Sequence, residues 1–231
     1  NYFAEGITNF QDSLIILTWT SEIALIYNLT DFSLEGNFSY SGEGWGICND
    51  GQHLIMSNGT SELSFRNLDS FEIEKTITVT LNGIEVNKIN ELECIDNLIL
   101  ANIWLEDRII GINSSTGVTE FFISASMLSQ KHNSESNNVL NGIAYDPSTD
   151  SYWITGKNWS SMYSVQFIPI NNATILDNTN KVNIDENFVN SLSILFLISS
   201  LSSFFILSRK IPPKSKISKA NSSLIKKHHQ R

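Results

Sequence analysis

The chain has 231 residues and a formal net charge of −9, which is enough length for one sizeable domain with its own core. The charge is unevenly divided. Residues 1–187 hold seven of the 15 Lys and Arg residues and all 24 acidic residues, whereas residues 209–231 hold eight basic residues and no acidic one. Such an acidic first part argues against a nucleic-acid-binding role for it.

Up to about residue 170 the sequence consists of short apolar runs separated by Gly, Asn and Asp, without a helical period. Each run has the length and composition of a β-strand, and turn signals such as NDG at 49–51 separate the runs. The predicted strands are residues 14–19, 22–29, 53–58, 62–68, 72–81, 98–104, 107–113, 151–156 and 162–169. The polar segment 125–140 is predicted to be a loop over one end of the domain.

One pattern recurs four times: a polar opening with glycine, a turn, then an apolar strand that ends in polar or aromatic residues. The copies are EGITNFQDSLIILTW (5–19), GWGICNDGQHLIMSNG (44–59), ELECIDNLILANIW (91–104) and NGIAYDPSTDSYWITGK (141–157). A spacing of about 40 to 50 residues is typical of the four-stranded blade of a β-propeller. Because propeller sheets pack face to face, we expect the inner strand at 98–104 to be covered on both sides, with its polar ends near the shared axis.

Residues 188–208 contain no charged side chain, although seven of them are serine. A helix of that length rises about 30 Å, enough to cross a bilayer core. A buried helix of a soluble domain would not explain the basic cluster RKIPPKSKISK that follows, which marks a cytoplasmic side. We therefore expect a single-pass protein of the cell membrane. Its predicted parts are an extracellular domain (1–170), a polar stalk (171–187), a transmembrane helix (188–208) and a basic cytoplasmic tail (209–231).

Familiar signatures of metal and nucleophile chemistry are absent from the sequence. It has no GxSxG, P-loop, HExxH or CxxC motif. Only two of the four histidines, His53 and His132, precede the apolar segment, so we expect no metal centre and no cofactor. Cys48 and Cys94 do not have the spacing of a metal site, and a single disulfide and two buried thiols both remain open.

Side chains able to bind or react gather instead at the ends of the four copies. They are Glu5, Trp19, Glu43, Trp45, Asn90, Glu91, Glu93, Trp104 and Lys157. Any one tryptophan alone fits core or rim packing. Three at corresponding repeat ends favour a pocket with a few converging polar groups, the usual form of a small-molecule site.

Four motifs, in this order, resemble those of the glutamine cyclotransferase family, the glutaminyl-peptide cyclotransferases of plant and bacterial type. They are YFAEGIT (2–8), GEGWGICNDG (42–51), NELECIDNLILANIW (90–104) and VLNGIAYDPSTDSYWITGKNW (139–159). The resemblance covers about residues 2–168. It implies an all-β, five-bladed propeller, of which we expect this chain to hold about four blades and to lack the first. It also implies conversion of the N-terminal glutamine of peptides and proteins to pyroglutamate with release of ammonia, without zinc.

The same resemblance implies roles for individual residues. Glu5 matches the catalytic carboxylate that moves the proton, and Asn90 and Lys157 match polar contacts able to donate to the developing oxyanion. The implied substrate pocket consists of Phe3, Trp19, Trp45 and Trp104. Read without the resemblance, Glu5 fits a surface turn, Asn90 a strand cap and Lys157 a solvated turn.

Two neighbouring carboxyls need a separate interpretation. Glu91 and Glu93 lie two positions apart near the start of the segment 90–104, and we expect at least one of them to bond the backbone of a neighbouring blade. Two other functions also remain open for the chain as a whole. One is an inactive cell-surface propeller that binds peptides or glycans. The other is a different propeller enzyme, such as a lactonase or quinoprotein, which would need a metal or cofactor.

Overall fold

The computed structural model describes residues 2–132, 138–170 and 203–210, with the backbone alone at 168–170 and 203–210. These residues form four antiparallel, four-stranded sheets in a propeller-like arrangement, which we call blades A to D. Blade A contains β1 (Ala4–Phe10), β2 (Ser13–Thr18), β3 (Ile23–Asn28) and β4 (Leu34–Ser39). Blade B contains β5 (Ile47–Asn49), β6 (Leu54–Ser57), β7 (Glu62–Arg66) and β8 (Ile73–Thr78).

A two-stranded hairpin, β9 (Thr80–Leu81) and β10 (Ile84–Glu85), connects blade B to blade C. Blade C contains β11 (Ile89–Ile95), β12 (Leu98–Ile103), β13 (Arg108–Asn113) and β14 (Thr119–Ser124). A one-turn helix, α1 (Ser126–Ser129), leads to blade D, which contains β15 (Leu140–Asp146), β16 (Ser151–Gly156), β17 (Tyr163–Ile170) and β18 (Ser203–Lys210). The strands are therefore paired in sequence order within each blade.

Hydrophobic clusters fill the spaces between consecutive blades. In β12, Ile99, Ala101 and Ile103 pack in a cluster with blade B, whereas Leu100 packs in a cluster with blade D. Alternate residues of a strand point to opposite faces of the sheet, so this strand needs apolar side chains on both faces. The prediction that residues 98–104 are covered on both sides is confirmed.

The innermost strands share an irregularity near one end. Register shifts of one residue interrupt β1, β11 and β15 at corresponding places, so that two residues face a single residue of the next strand. In blade B the same arrangement lies just before β5, where Trp45 and Gly46 both bond the backbone of Ser57. The four residue pairs are Glu5–Gly6, Trp45–Gly46, Asn90–Glu91 and Asn141–Gly142. Such β-bulges bend a strand and re-aim its side chains.

Glycine at these bulges permits close contact between innermost strands. A Cβ atom added to Gly6 would lie 2.7 Å from the Cα of Gly46, and one added to Gly46 would lie 2.1 Å from the carbonyl oxygen of Asn90. Neither position has room for a side chain, because the neighbouring backbone occupies it. The second bulge residue is glycine in blades A, B and D, whereas in blade C it is Glu91.

A disulfide between Cys48 in β5 and Cys94 in β11 joins blades B and C, with a Cα–Cα distance of 5.5 Å. The two cysteines occupy corresponding places in consecutive copies of the repeat. The structure therefore decides between the two states that the sequence left open, in favour of the bond.

The segment 125–140, predicted as a loop, is partly built into the core. It contains α1, and Leu128 of that helix packs in the cluster between blades C and D. His132 is also buried, with its ring stacked on that of Trp159 at a centroid distance of 4.5 Å. Residues 133–137 lie outside the described residues. The loop prediction was wrong for the first part because its apolar side chains cover the end of the interblade cluster.

The predicted stalk (171–187), most of the predicted transmembrane helix (188–202) and the tail beyond Lys210 lie outside the described residues. Within the part of the chain that the structure describes, no helix is long and apolar enough to cross a bilayer. Residues 203–208 of the predicted helix belong to β18, which pairs with β17 from Ser203 to Lys210. The backbone of β17 presents a row of donors and acceptors at the sheet edge, and this segment pairs with them. The helix prediction for 188–202 stays a prediction.

We expect Gly46→Ala to destabilise the protein by about 2 kcal/mol or more, because its Cβ would collide with backbone that cannot rotate away. Thermal and urea unfolding followed by circular dichroism measure the change. The matched control is Gly36→Ala in β4, where an added Cβ meets nothing within 4 Å, and its effect should stay within about 1 kcal/mol. Equal stability of the two variants would contradict the close packing of the innermost strands.

Candidate active site

An ion pair connects the first and last blades at the bulged ends of the innermost strands. Nζ of Lys157, which follows β16, lies 3.0 Å from each carboxylate oxygen of Glu5 in the β1 bulge. Their side chains are 31% and 11% exposed, respectively. Partial burial and two short contacts make this a charge-assisted interaction rather than a solvated surface pair. The structure thus places two of the three predicted catalytic residues in direct contact.

Of the four predicted pocket residues, two present their rings to Lys157 and the other two contact those rings. Nζ of Lys157 lies 4.8 Å from the ring centroid of Trp104 and 5.9 Å from that of Phe3. Phe3 meets Trp19 edge to face at 5.9 Å, and Trp104 meets Trp45 in the same manner at 6.1 Å. The aromatic rings therefore form two edge-to-face pairs joined through the lysine ammonium, which is attracted to ring faces. Phe3 and Trp19 are exposed, so this side of the pocket is open to solvent.

The register of the blades explains how Trp45 reaches the pocket. Gly59 in blade B corresponds to Trp19 in blade A and Trp104 in blade C. A Cβ atom on Gly59 would lie 2.6 Å from the indole of Trp45, and its φ of +81° also favours glycine. The indole of Trp45 therefore covers the place that a side chain at Gly59 would occupy, so blade B supplies its tryptophan from the innermost strand.

Glu43 makes a contact that the sequence did not predict. One of its carboxylate oxygens, Oε2, accepts hydrogen bonds from Nε1 of Trp19 at 2.7 Å and from Nε1 of Trp45 at 2.8 Å. The sequence placed Glu43 among the polar residues at the repeat ends and assigned it no role. Its signal was its position two residues before a pocket tryptophan, but the link to Trp19 exists only in the folded blades.

Asn90, the third predicted catalytic residue, lies in the β11 bulge and is only 2% exposed. Its backbone carbonyl accepts a hydrogen bond from Oγ of Ser57 at 2.6 Å, and this tie between blades B and C is structural. Its side-chain Oδ1 is buried without a hydrogen-bond partner among the described residues. By register Asn90 corresponds to Glu5, and a contact with substrate stays a prediction.

Asn141 holds the corresponding place in the β15 bulge, and its Oδ1 also lacks a partner within the described chain. Asn141 lies in the fourth family motif, but it was not predicted to be a site residue. The signal was the pattern shared by Glu5-Gly6-Ile7 and Asn141-Gly142-Ile143, which aligns the two bulges residue by residue.

The two neighbouring carboxyls of β11 have different roles. Oε1 of Glu93 accepts a hydrogen bond from the backbone N–H of Tyr145 at 3.0 Å, which ties blade C to blade D. The prediction that at least one of these residues bonds a neighbouring blade is confirmed. Burial raises the pKa of the Glu93 carboxyl, and the hydrogen bond from Tyr145 opposes that shift.

Glu91 lies close enough to Glu5 and Lys157 to interact with their charges. Burial raises the pKa of its carboxyl well above the ordinary value, and the negative charges of Glu93 and Glu5 raise it further. Lys157 acts in the opposite direction. The shift favours the protonated form more than in an exposed glutamate, and so lessens the negative charge beside the Glu5–Lys157 pair.

Among residues 2–132, 138–170 and 203–210, no group of three or more His, Cys, Asp and Glu side chains is arranged to hold a metal ion. The chemistry available in the described site therefore consists of a carboxylate, an ammonium group, amide side chains and aromatic walls.

We expect Glu91→Gln to raise the melting temperature above that of the wild type at about pH 8 and to have little effect at about pH 4. A raised folded-state pKa means that stability is fully present below the ordinary value of 4.5 and is lost as the pH rises. Glutamine stays neutral and avoids that loss. Thermal unfolding at both pH values measures the difference, with the exposed Glu35→Gln as control. An advantage for Glu91→Gln that does not grow with pH would contradict the assignment.

Comparison with known proteins agrees with this geometry. The sequence profile of the glutamine cyclotransferase family matches residues 1–167. A glutaminyl-peptide cyclotransferase of Arabidopsis thaliana is 34% identical over 169 residues, which are 71% of this chain and 53% of that protein. The chain thus spans about half the length of this curated relative. The crystal structure of the Myxococcus xanthus glutaminyl cyclase matches with a TM-score of 0.69 and 36% identity, covering 72% of this chain and 73% of that one. The chain belongs to the glutamine cyclotransferase family.

Proposed function

We propose that this protein is a glutaminyl-peptide cyclotransferase, which converts the N-terminal glutamine of peptides and proteins to pyroglutamate and releases ammonia. The observation that carries the proposal is the Glu5 carboxylate, held by Lys157 inside a pocket of aromatic rings. In the reaction the α-amino nitrogen bonds to the side-chain amide carbon, and the bond from that carbon to the amide nitrogen breaks. One proton must leave the attacking amine and one must reach the departing nitrogen.

Glu5 is the proposed proton carrier. As a carboxylate it accepts the proton of the attacking amine, and as the resulting acid it donates that proton to the leaving nitrogen, so no net proton is consumed. Its place at a bulge on the innermost strand orients the carboxylate toward the axis, and Lys157 fixes that orientation through both oxygens. A single positioned carboxylate is therefore sufficient for both transfers.

Lys157 and Asn90 are the proposed donors to the oxyanion that develops on the amide carbon. An ammonium group has three N–H donors, and two of those of Lys157 are used by Glu5. The third can meet the oxyanion. Preorganised donors of this kind stabilise a transition state because they need no rearrangement as charge develops.

The aromatic walls are proposed to hold the glutaminyl side chain in a ring-like pose. Attack within one residue requires the amine and the amide carbon to be close, and holding them together supplies a large share of the acceleration. Trp19, Trp45, Trp104 and Phe3 present mainly apolar surface for this purpose. The indole N–H groups of Trp19 and Trp45 are already bonded to Glu43 and do not compete for the substrate's polar groups.

We expect Glu5→Gln to lower kcat for ammonia release from a Gln-initiated dipeptide by about 10³-fold, because the variant cannot accept the proton. The assay contains EDTA, so that turnover in it also supports a reaction without zinc. Glu35→Gln, which neutralises an exposed carboxylate in the same blade, should retain activity within about twofold. A fully active Glu5→Gln variant would refute the assignment. No turnover by folded wild-type protein would favour the alternative of a peptide-binding or glycan-binding propeller.

We also propose that the propeller closes with a fifth blade between blades D and A, as family membership implies. Support comes from Tyr2, just before β1, and from Ile7 within β1 of blade A, which are 54% and 48% exposed. Large apolar side chains grouped on one blade are suited to contact with a further sheet. A crystal structure of the natural protein with blades A and D packed directly on each other would contradict this arrangement.

We further propose that, in a membrane, residues 203–208 leave β18 and extend residues 188–202 into a helix (188–208) that anchors the protein, with the propeller outside and the basic tail in the cytoplasm. The uncharged run of 21 residues and the basic cluster after it support the proposal. The full chain should remain with membranes after a high-salt wash and dissolve in detergent, whereas a chain ending at residue 187 should be released. Recovery of both forms in the soluble fraction would exclude the anchor.

A further inference from the structure

Glu43 lies in the connection between β4 and β5, two residues before Trp45. Its Oε2 atom accepts the indole N–H of Trp19 from blade A and that of Trp45 at the start of blade B. A hydrogen bond to a charged acceptor is stronger than one between neutral groups. Because a single oxygen accepts both, the two indole edges are held at a fixed separation across the junction of two blades.

The connection that carries Glu43 is itself held in place. The backbone N–H of Gly44 donates to the carbonyl of Trp19 at 2.9 Å, and that of Gly42 donates to Oε1 of Glu22 at 2.8 Å. Gly42 has a φ of +87°, which a residue with a side chain rarely adopts. The carboxylate is thus delivered by a segment bonded to blade A on both sides of it.

The two indoles benefit from such an anchor because burial alone does not hold one of them. Trp19 is 42% exposed, and an exposed side chain can change rotamer freely. Without Glu43 the two N–H groups would bond water and the indole edges would no longer be tied together. Ordering them would then become part of the cost of substrate binding.

We propose that Glu43 is a positioning residue. It fixes the separation between the indoles of Trp19 and Trp45 and so preorganises the pocket for the glutaminyl side chain. This role rests on the proposed function. It acts on binding rather than on proton transfer, because Glu43 reaches the substrate through the indoles and not through the reacting atoms. Loss of the contact therefore raises KM more than it lowers kcat.

The first measurement detects the two hydrogen bonds of Glu43 and does not depend on catalytic turnover. The chain has five tryptophans, and the indole N–H signals of Trp19 and Trp45 are assigned in ¹H–¹⁵N spectra through Trp19→Phe and Trp45→Phe. In Glu43→Ala, these two signals should shift upfield and exchange faster with solvent, while those of Trp153 and Trp159 stay in place. Unchanged signals would overturn the contact itself.

The second measurement is steady-state ammonia release from the Gln-initiated dipeptide. Glu43→Ala should raise KM about tenfold, the order expected for the loss of a charge-assisted hydrogen bond, and should change kcat by less than about threefold. Glu43→Gln keeps an acceptor oxygen without the charge and should give an intermediate KM. The matched control is Glu35→Ala, which removes the same charge and two hydrogen bonds at the far end of blade A.

Three other results would contradict the proposed role of Glu43. A lower kcat with unchanged KM would overturn the positioning role in favour of a direct part in the reaction. Shifted indole signals with unaltered kinetics would show that the separation of the two indoles does not govern substrate binding. This result would also overturn the positioning role. Absence of turnover in the wild-type protein would refute the proposed function and this role together, while the spectra would still report the hydrogen bonds, so the two failures are distinguishable.

Discussion

A single extra residue near one end of each innermost strand is the constraint on which the pocket depends. In a regular strand successive side chains alternate between the two faces, and in blade C these faces pack against blades B and D. A bulge interrupts that alternation locally. The side chains at the first bulge position are therefore directed away from the interblade packing; they are those of Glu5, Trp45, Asn90 and Asn141. The glycines at two of the bulges, Gly6 and Gly46, let neighbouring innermost strands approach within backbone contact. The bulges thus bring innermost strands close together and also place polar side chains near the shared axis.

Four carboxyl groups on or near the innermost strands are distinguished by their partners. Lys157 binds Glu5, the backbone of Tyr145 binds Glu93, and two indoles bind Glu43. Glu91 is left with burial and like charges, which raise its pKa. Buried charges are costly unless paired, and one lysine cannot neutralise several carboxylates. In this arrangement Lys157 pairs with Glu5 rather than with the other three carboxyl groups.

Much of the fold and part of the site were predictable from local patterns. The apolar runs and their turns identified most strands, and the repeat identified the blades, because a period of two and a regular spacing are properties of the sequence itself. The predictions were wrong or incomplete where a distant segment decides the outcome. The start of segment 125–140 lies in the core because its apolar side chains pack in the cluster between blades C and D. Residues 203–208 pair with the edge of β17, which is about 40 residues away in sequence.

The sequence by itself determined the strand-rich repeat, the acidic first part, the tryptophans and the family motifs, and through them the choice of Glu5 and Lys157 as candidate site residues. Tertiary structure alone decided that these two meet at 3.0 Å although 152 residues separate them. It also decided that Cys48 and Cys94 bond, and that Glu43 links two indoles from neighbouring blades. The physical reason is the same in each case. Strand patterns record which face of a sheet is buried, whereas contacts between blades depend on the register and angle at which the sheets pack around the axis.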